Sequence, residues 1–218
     1  MKKKRIIRAL LVFAAGMFLS SARSIDVAPI GPNGTDVGFS TLNKAVFDAV
    51  GVHWGWYALT QALGYLALGV AGAFALFGLW QLLRRRSLRQ VDRNLLWLGG
   101  LYLSVIALYV IFELVPVNYR PILMPGKTEP EPSFPSSHTL LICTVMLSAA
   151  HQLKYYVRKG SLRRTLQGVC CGLAVLTVCG RLLSGVHWFT DILGGLLYSA
   201  ALLYLFVTET EADRRKTA

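Results

Sequence analysis

Charged residues are scarce in this chain, and their scarcity excludes an ordinary soluble domain. Only 16% of the 218 residues are charged, whereas 54% are hydrophobic. A soluble domain usually carries about 25% charged residues. Several apolar runs approach the roughly 20 residues that cross a bilayer as a helix. We therefore predict one all-α integral membrane domain, a bundle of six membrane-spanning helices, with no second folded unit.

Acidic residues are also few, with 11 Asp and Glu against 23 Lys and Arg. The resulting net charge of +12 is typical of nucleic-acid-binding proteins, but the placement of the charge argues against that class. Most basic residues lie in four blocks beside hydrophobic runs: Lys2 to Arg8, Arg84 to Arg93, Lys154 to Arg164, and Arg214 to Lys216. Such blocks orient helices in a membrane. The predicted partner is therefore the lipid bilayer, not nucleic acid.

Cysteine is rare as well, and its placement excludes a cysteine-based metal site. The four cysteines lie within apolar runs and lack metal-site spacing: Cys143, Cys170, Cys171 and Cys179. We interpret them as small apolar residues without a disulfide. The sequence predicts no metal and no cofactor, and it does not indicate an oligomeric state.

The hydrophobic pattern divides the chain into six predicted spans: 6–21, 57–82, 95–115, 138–155, 165–184 and 188–207. Residues 1–22 are predicted to form an uncleaved first helix, although the basic start and Ser20-Ser-Ala22 also fit a signal peptide. Residues 23–56 form an external loop with a short amphipathic helix near residues 42–50. Residues 57–207 make up the core, and 208–218 a cytoplasmic tail.

The distribution of positive charge predicts the orientation. With the N-terminus inside, cytoplasmic segments hold eighteen Lys and Arg and the external side holds five. Because cytoplasmic loops are enriched in positive charge, both termini are predicted to be cytoplasmic, in a plasma membrane. Two of the five external cations, Arg120 and Arg181, belong to the candidate site described next.

Ionisable residues interrupt the apolar pattern near the C-terminal end, where the chain reads Arg181-Leu-Leu-Ser-Gly-Val-His187-Trp-Phe-Thr-Asp191. Ionisable groups are costly at membrane depth and indicate function there. Their spacing would place His187 and Asp191 one helical turn apart. Asp191 can then orient the imidazole, and the other ring nitrogen can attack phosphorus.

A second cluster lies in the predicted external loop 116–137. This loop begins near Arg120-Pro121 and ends at Pro135-Ser-Ser-His138, where a helix is predicted to start. Either serine can cap that helix, and free backbone N–H groups at a helix start favour an anion. Both clusters would meet at one end of the bundle.

The residue types in these clusters fit phosphoryl transfer. Arg120 and Arg181 carry forked donors that match phosphate oxygens. His138 can give a proton to the departing oxygen. Because the guanidinium groups stabilise charge on the transferring phosphoryl group, no metal is required.

Taken together, the motifs resemble the three-part signature of the type 2 phosphatidic acid phosphatase superfamily: Arg120-Pro121, Pro135-Ser136-Ser137-His138 and Arg181-x5-His187-x3-Asp191. That superfamily includes lipid phosphate phosphatases, bacterial undecaprenyl pyrophosphate phosphatases and, more distantly, vanadium haloperoxidases. The resemblance covers residues 95–205. It implies a six-helix bundle with an outward-facing site at the non-cytoplasmic ends of the helices.

The resemblance also implies a role for each residue. It makes His187 the nucleophile that forms a phosphohistidine, Asp191 its partner and His138 the general acid. Phosphate would be held by four groups: Arg120, Arg181, Ser136 and the backbone of Ser137.

Three positions depart from the family pattern. Glu113 stands where the family usually has Lys, Ser137 where it has Gly, and Gly180 where it has Ser. A carboxylate repels phosphate, so Glu113 cannot inherit the lysine's role. We expect either that Glu113 pairs with Arg120 or Lys127, or that it lies in interfacial water. Lys127 is a candidate for the missing phosphate-binding cation.

The predicted function is a metal-independent membrane phosphatase acting on a lipid phosphate or pyrophosphate at the non-cytoplasmic face. Undecaprenyl pyrophosphate is the single best-fitting substrate on family prevalence alone, with phosphatidic acid, phosphatidylglycerol phosphate and lysophospholipids as the alternatives. One alternative is a phosphotransferase that hands the phosphoryl group to another lipid or glycan. A non-catalytic protein that binds or moves anionic lipids is another, although it would not need a His-x3-Asp pair.

Overall fold

The computed structural model describes the backbone of residues 2–217 and the side chains of residues 6–215. Within that range the fold is all-α, as predicted. Seven helices follow one another along the described chain: α1 (Lys2–Ser24), α2 (Ser40–Val50), α3 (Trp54–Arg85), α4 (Arg93–Leu114), α5 (Ser137–Tyr156), α6 (Gly160–Ser184) and α7 (Phe189–Thr217). Short 3₁₀ turns lie at Pro32–Gly34 and Leu88–Gln90.

The six long helices coincide with the six predicted spans to within a few residues at most ends. The main difference is α7, which continues to Thr217 through the segment assigned to a tail. Five of the described helices are long and apolar enough to cross a membrane, namely α1, α3, α4, α6 and α7. Length and composition therefore support five of the six predicted spans, and the span that they do not support is α5.

Helix α5 falls short because it is the central helix of the bundle. It packs against α3, α4, α6 and α7, and more than half of its residues are buried. Buried polar side chains along it include Thr139, Thr144, Ser148 and Gln152. A helix that faces protein on most sides does not need the apolar surface that lipid demands.

Contacts at both ends show that α5 and α7 run side by side in the same direction. At one end the backbone N–H of Ser136 donates to the carbonyl of Asp191 (2.9 Å). At the other, His151 Nε2 lies 3.0 Å from Thr210 Oγ1. Helix α6 runs the opposite way. The candidate residues therefore gather at one end of the bundle, called here the site end.

Helix α1 packs along α7 at the edge of the bundle. Arg8 forms an ion pair with Glu209 near the end opposite the site. Ala22 is almost completely buried, and the ring of Phe18 contacts those of Phe39 and Phe134 near the site end. This packing fits a retained first helix, and retention stays a prediction.

Helix α2 lies across the site end, where a short amphipathic helix was expected. The buried amide of Asn43 donates to Thr190 Oγ1 (2.9 Å) and accepts from the backbone N–H of Thr190 (3.1 Å). The ring of Phe47 packs on Trp188. These contacts hold α2 against the start of α7, directly beside the candidate site.

Candidate active site

The loop between α4 and α5 folds back on itself as a narrow ribbon. The backbone N–H of Arg120 donates to the carbonyl of Glu131 (2.9 Å), and that of Ser133 donates to Asn118 (2.9 Å). These two bonds and an antiparallel bridge between Tyr119 and Pro132 pair the two arms of the loop. The pairing brings Arg120 over the site end of the bundle.

A tight turn between α6 and α7 positions His187. Gly185 ends α6 with a φ of +66°, a conformation that favours glycine. A Cβ at Gly185 would lie 1.9 Å from the carbonyl oxygen of Gly51, so no larger residue fits. Two residues later His187 enters the buried interior, ahead of the first turn of α7.

Asp191 lies in that first turn of α7 and is completely buried. Its carboxylate accepts hydrogen bonds from the backbone N–H of Trp188 (3.0 Å) and from the side-chain amide of Asn118 (3.2 Å). The distance from His187 Nδ1 to Asp191 Oδ2 is 3.7 Å, slightly longer than a hydrogen bond. The predicted His187–Asp191 pair is thus brought together.

The other ring nitrogen of His187 faces Arg120. Arg120 NH1 lies 3.4 Å from His187 Nε2 and also donates to the carbonyl of Val186 (3.3 Å). Burial, together with the positive charges of Arg120 and Arg181, holds the pKa of His187 well below its usual range. A neutral imidazole results, and its Nε2 lone pair faces the guanidinium of Arg120.

His138 and Arg181 form the second half of the site. Arg181 is fully buried; its NH2 lies 2.8 Å from His138 Nδ1, and its NH1 donates to Thr60 Oγ1 (3.3 Å). The guanidinium also lies over the ring of Tyr57, 5.3 Å from the centroid. Because arginine only donates, His138 Nδ1 must accept, and a neutral His138 therefore carries its proton on Nε2.

The two serines of the second motif differ in position. Ser136 is fully buried and caps α5: its Oγ accepts from the backbone N–H of Thr139 (3.5 Å) and from Thr139 Oγ1 (3.1 Å). Ser137 lines the open cavity beside His138. The geometry therefore favours Ser137 over Ser136 as a phosphate contact.

A cavity of about 770 Å³ opens in front of these residues. Its polar end is formed by His187, His138, Arg120 and Ser137. Its apolar walls come from α3 and α4, where Tyr65, Leu68, Ile106 and Tyr109 are exposed on the outside of the bundle. Arg181 and Asp191 lie behind the two histidines and do not line the cavity.

The sequence analysis missed Glu131, which is the carboxylate that pairs with the loop cations. Glu131 lies 3.2 Å from Arg120 Nε and 3.5 Å from Lys127 Nζ. The expectation that Glu113 pairs with one of these cations is therefore wrong. Glu113 is exposed at the cavity wall. Glu131 could have been identified only by predicting which residues of the two loop arms lie opposite each other, because no motif includes it.

Lys127 is half exposed at the tip of the loop and also lines the cavity. Its ammonium group lies 3.5 Å from the carboxylate of Glu131. Among the described residues, no cluster of three or more metal-ligating side chains is present.

Three comparisons bear on the family. Residues 113–215 match the model of the PAP2 superfamily. The fold is similar to the crystal structure of a transmembrane PAP2-type phosphatidylglycerolphosphate phosphatase from Bacillus subtilis, with a TM-score of 0.61 and 20% sequence identity. That similarity covers 94% of this chain and 96% of the other. No curated protein matches the sequence. The predicted resemblance is confirmed, and the fold is that of a multi-pass membrane protein.

Proposed function

We propose, from the match of residues 113–215 to the PAP2 superfamily model, that this membrane protein hydrolyses a lipid phosphate or pyrophosphate through a phosphohistidine. The observation that carries the proposal is the placement of His187 Nε2 against Arg120, with Asp191 behind the ring and His138 on the same cavity. A protein that only binds anionic lipids needs cations at such a site, but it does not need an imidazole that is oriented by a carboxylate.

The cavity supports a lipid substrate. Its apolar walls carry side chains such as Tyr65 and Ile106, which are 71% and 58% exposed on the face of the bundle that would meet lipid. A hydrocarbon chain can therefore lie between α3 and α4 while its headgroup reaches the histidines.

The reaction follows from the positions of the ring nitrogens. His187 Nε2 attacks phosphorus, the bond from phosphorus to the lipid oxygen breaks, and that oxygen takes a proton from His138. This step needs His138 in its protonated form, in which Nδ1 also carries a proton, so Arg181 must turn away from Nδ1 and donate to the bound phosphate instead. Water then attacks the phosphohistidine, gives a proton back to His138, and releases inorganic phosphate and neutral His187.

Several lipids remain candidate substrates for this site. Undecaprenyl pyrophosphate is the choice that family prevalence favours, and the Bacillus subtilis structure is named for phosphatidylglycerolphosphate. The test is phosphate release by purified full-length protein in detergent, against a panel of both lipids, phosphatidic acid and lysophosphatidic acid. Absence of release from every lipid contradicts the proposal.

His138→Ala should separate substrates by their leaving groups. We expect a loss of about 10²- to 10⁴-fold for alkyl phosphates, because an alkoxide needs the proton. The loss should be much smaller for 4-nitrophenyl phosphate, whose leaving group is stable without one. Comparing kcat for the two substrates checks the role, and an equal loss for both would contradict a general acid at His138.

Activity should persist in EDTA and be inhibited by orthovanadate. The motifs supply a single carboxylate, Asp191, whereas hard cations need several oxygen ligands. Vanadate can occupy a phosphate site as a five-coordinate mimic. Strict dependence on added Mg²⁺ together with insensitivity to vanadate would favour a different mechanism.

The active site is proposed to face outward. Cysteines placed at Lys127 and Leu88, at opposite ends of the bundle, should therefore react with an impermeant maleimide from opposite sides of intact cells. The basis is the charge asymmetry of the two ends. Labelling of Leu88→Cys from outside, with Lys127→Cys protected, would invert the orientation.

A further inference from the structure

The catalytic cavity has charges of both signs. Arg120 and Lys127 line it, and both are already paired with Glu131. Arg181 lies behind His138 and adds positive potential from the protein interior. The phosphate end of the cavity is therefore positive, with one carboxylate already engaged there.

Glu113 makes another part of the cavity wall negatively charged. Its carboxylate is exposed and, within residues 6–215, forms no ion pair or hydrogen bond. It lies in the last turn of α4, where the helix dipole also concentrates negative potential. A negative charge at that position is unfavourable for the helix and favours a cation nearby.

Gln61 adds a second unsatisfied acceptor to the same cavity. Its side-chain carbonyl oxygen is buried and lacks a hydrogen-bond partner among the described residues. Buried acceptors are normally paired, so an unpaired one next to a substrate cavity calls for a donor from the ligand. An ammonium group has three donors and no acceptor, which suits both Gln61 and Glu113.

We propose that Glu113 and Gln61 form a subsite for a protonated amine, so that the preferred substrate is a lipid phosphomonoester with a primary amine near its phosphate. The inference rests on the proposed phosphatase function and names the substrate class of that site. The phosphate lies against Arg120 and His187, and the ammonium lies against the Glu113 side of the cavity. Charge complementarity distinguishes this headgroup from a hydroxyl-bearing one.

The test compares two substrates that differ only in the amine: sphinganine 1-phosphate and its N-acetyl derivative. Wild-type protein should show a kcat/KM about tenfold higher for the free amine, the scale of one hydrogen bond to a charged group. Glu113→Gln should bring the ratio of the two kcat/KM values close to one. Glu113→Lys should invert it, because a second ammonium repels the first.

Glu129→Gln is the matched control. Glu129 is exposed on the loop that follows α4 but does not line the cavity, so the loss of its charge should preserve the wild-type ratio. A wild-type ratio near one, or a Glu113→Gln ratio equal to that of wild type, overturns the amine subsite and leaves the phosphatase intact. If the wild-type protein hydrolyses no lipid of either kind, the proposed function fails and the subsite with it.

Discussion

Replacing His187 with alanine is expected to abolish phosphate release from every lipid substrate, a loss on the order of 10⁴-fold or more. The reason is that Nε2 of His187 is the atom proposed to bond phosphorus. Among the residues whose side chains are described, no other nucleophile at the site has an orienting carboxylate behind it. The measurement is single-turnover phosphate release by purified protein in detergent.

The same variant also tests the intermediate. Wild-type protein quenched in alkali should retain label from a ³²P-lipid phosphate as a phosphohistidine, and His187→Ala should retain none. His53→Ala is the control, since His53 is exposed at the site end, lies 2.8 Å from the Val50 carbonyl and is outside the cavity. Near wild-type turnover by a folded His187→Ala protein would contradict the mechanism.

Asp191→Asn is expected to lower kcat by about 10³- to 10⁴-fold, the scale seen when a histidine loses its orienting carboxylate. Asparagine keeps the size of the side chain and one acceptor for the backbone N–H of Trp188. It removes the negative charge that stabilises the imidazole as Nε2 bonds to phosphorus. The check is kcat at saturating substrate, with thermal unfolding of the purified variant measured alongside.

Asn118→Ala provides a graded comparison for Asp191. It removes one hydrogen bond to the carboxylate and leaves the charge, so kcat should fall far less than in Asp191→Asn. A change in KM alone for Asp191→Asn, with kcat retained, would assign the carboxylate to substrate binding and not to the orientation of His187.

The positions of the long helices could be predicted from the sequence because lipid imposes a strong, local requirement for apolar length. The requirement for apolar length does not indicate which helix lies in the centre of the bundle. Helix α5 is shielded by four neighbours, and polar residues on it can find partners inside the bundle. Gln152, for example, bonds both the backbone and the side chain of Asn94. The paired glycines show the same limit. Gly194 and Gly195 lie against Phe134 and Thr139, as small residues at helix contacts should. Gly99 and Gly100 form the same kind of pair in the sequence, yet no neighbouring atom lies within 4 Å of a Cβ built at either position, so this pair does not mark a close helix contact.

The site could be predicted as far as its motifs reach. His187, His138, Arg120 and Arg181 converge as expected, because their spacing is fixed by two helix starts and a turn. The contributions of α3 were missed: Tyr57 and Thr60 hold Arg181 from a helix far away in sequence. Glu131 was missed for a similar reason, since its pairing with Arg120 depends on how the loop arms align.

The polarity of α5 has a consequence for how the protein is made. Helix α5 carries polar side chains such as His138, Ser148, His151 and Gln152. Moving this helix by itself from the translocation channel into lipid is energetically unfavourable, because each polar group would be in hydrocarbon without a hydrogen-bond partner. Its partners include α6 and α7, which are synthesised after it. The helix that carries the proposed general acid therefore depends on later-made segments for its place in the bilayer. The proposed catalytic centre therefore assembles in the same step in which α5 becomes stable in the membrane. That step is complete only after α7 has been synthesised.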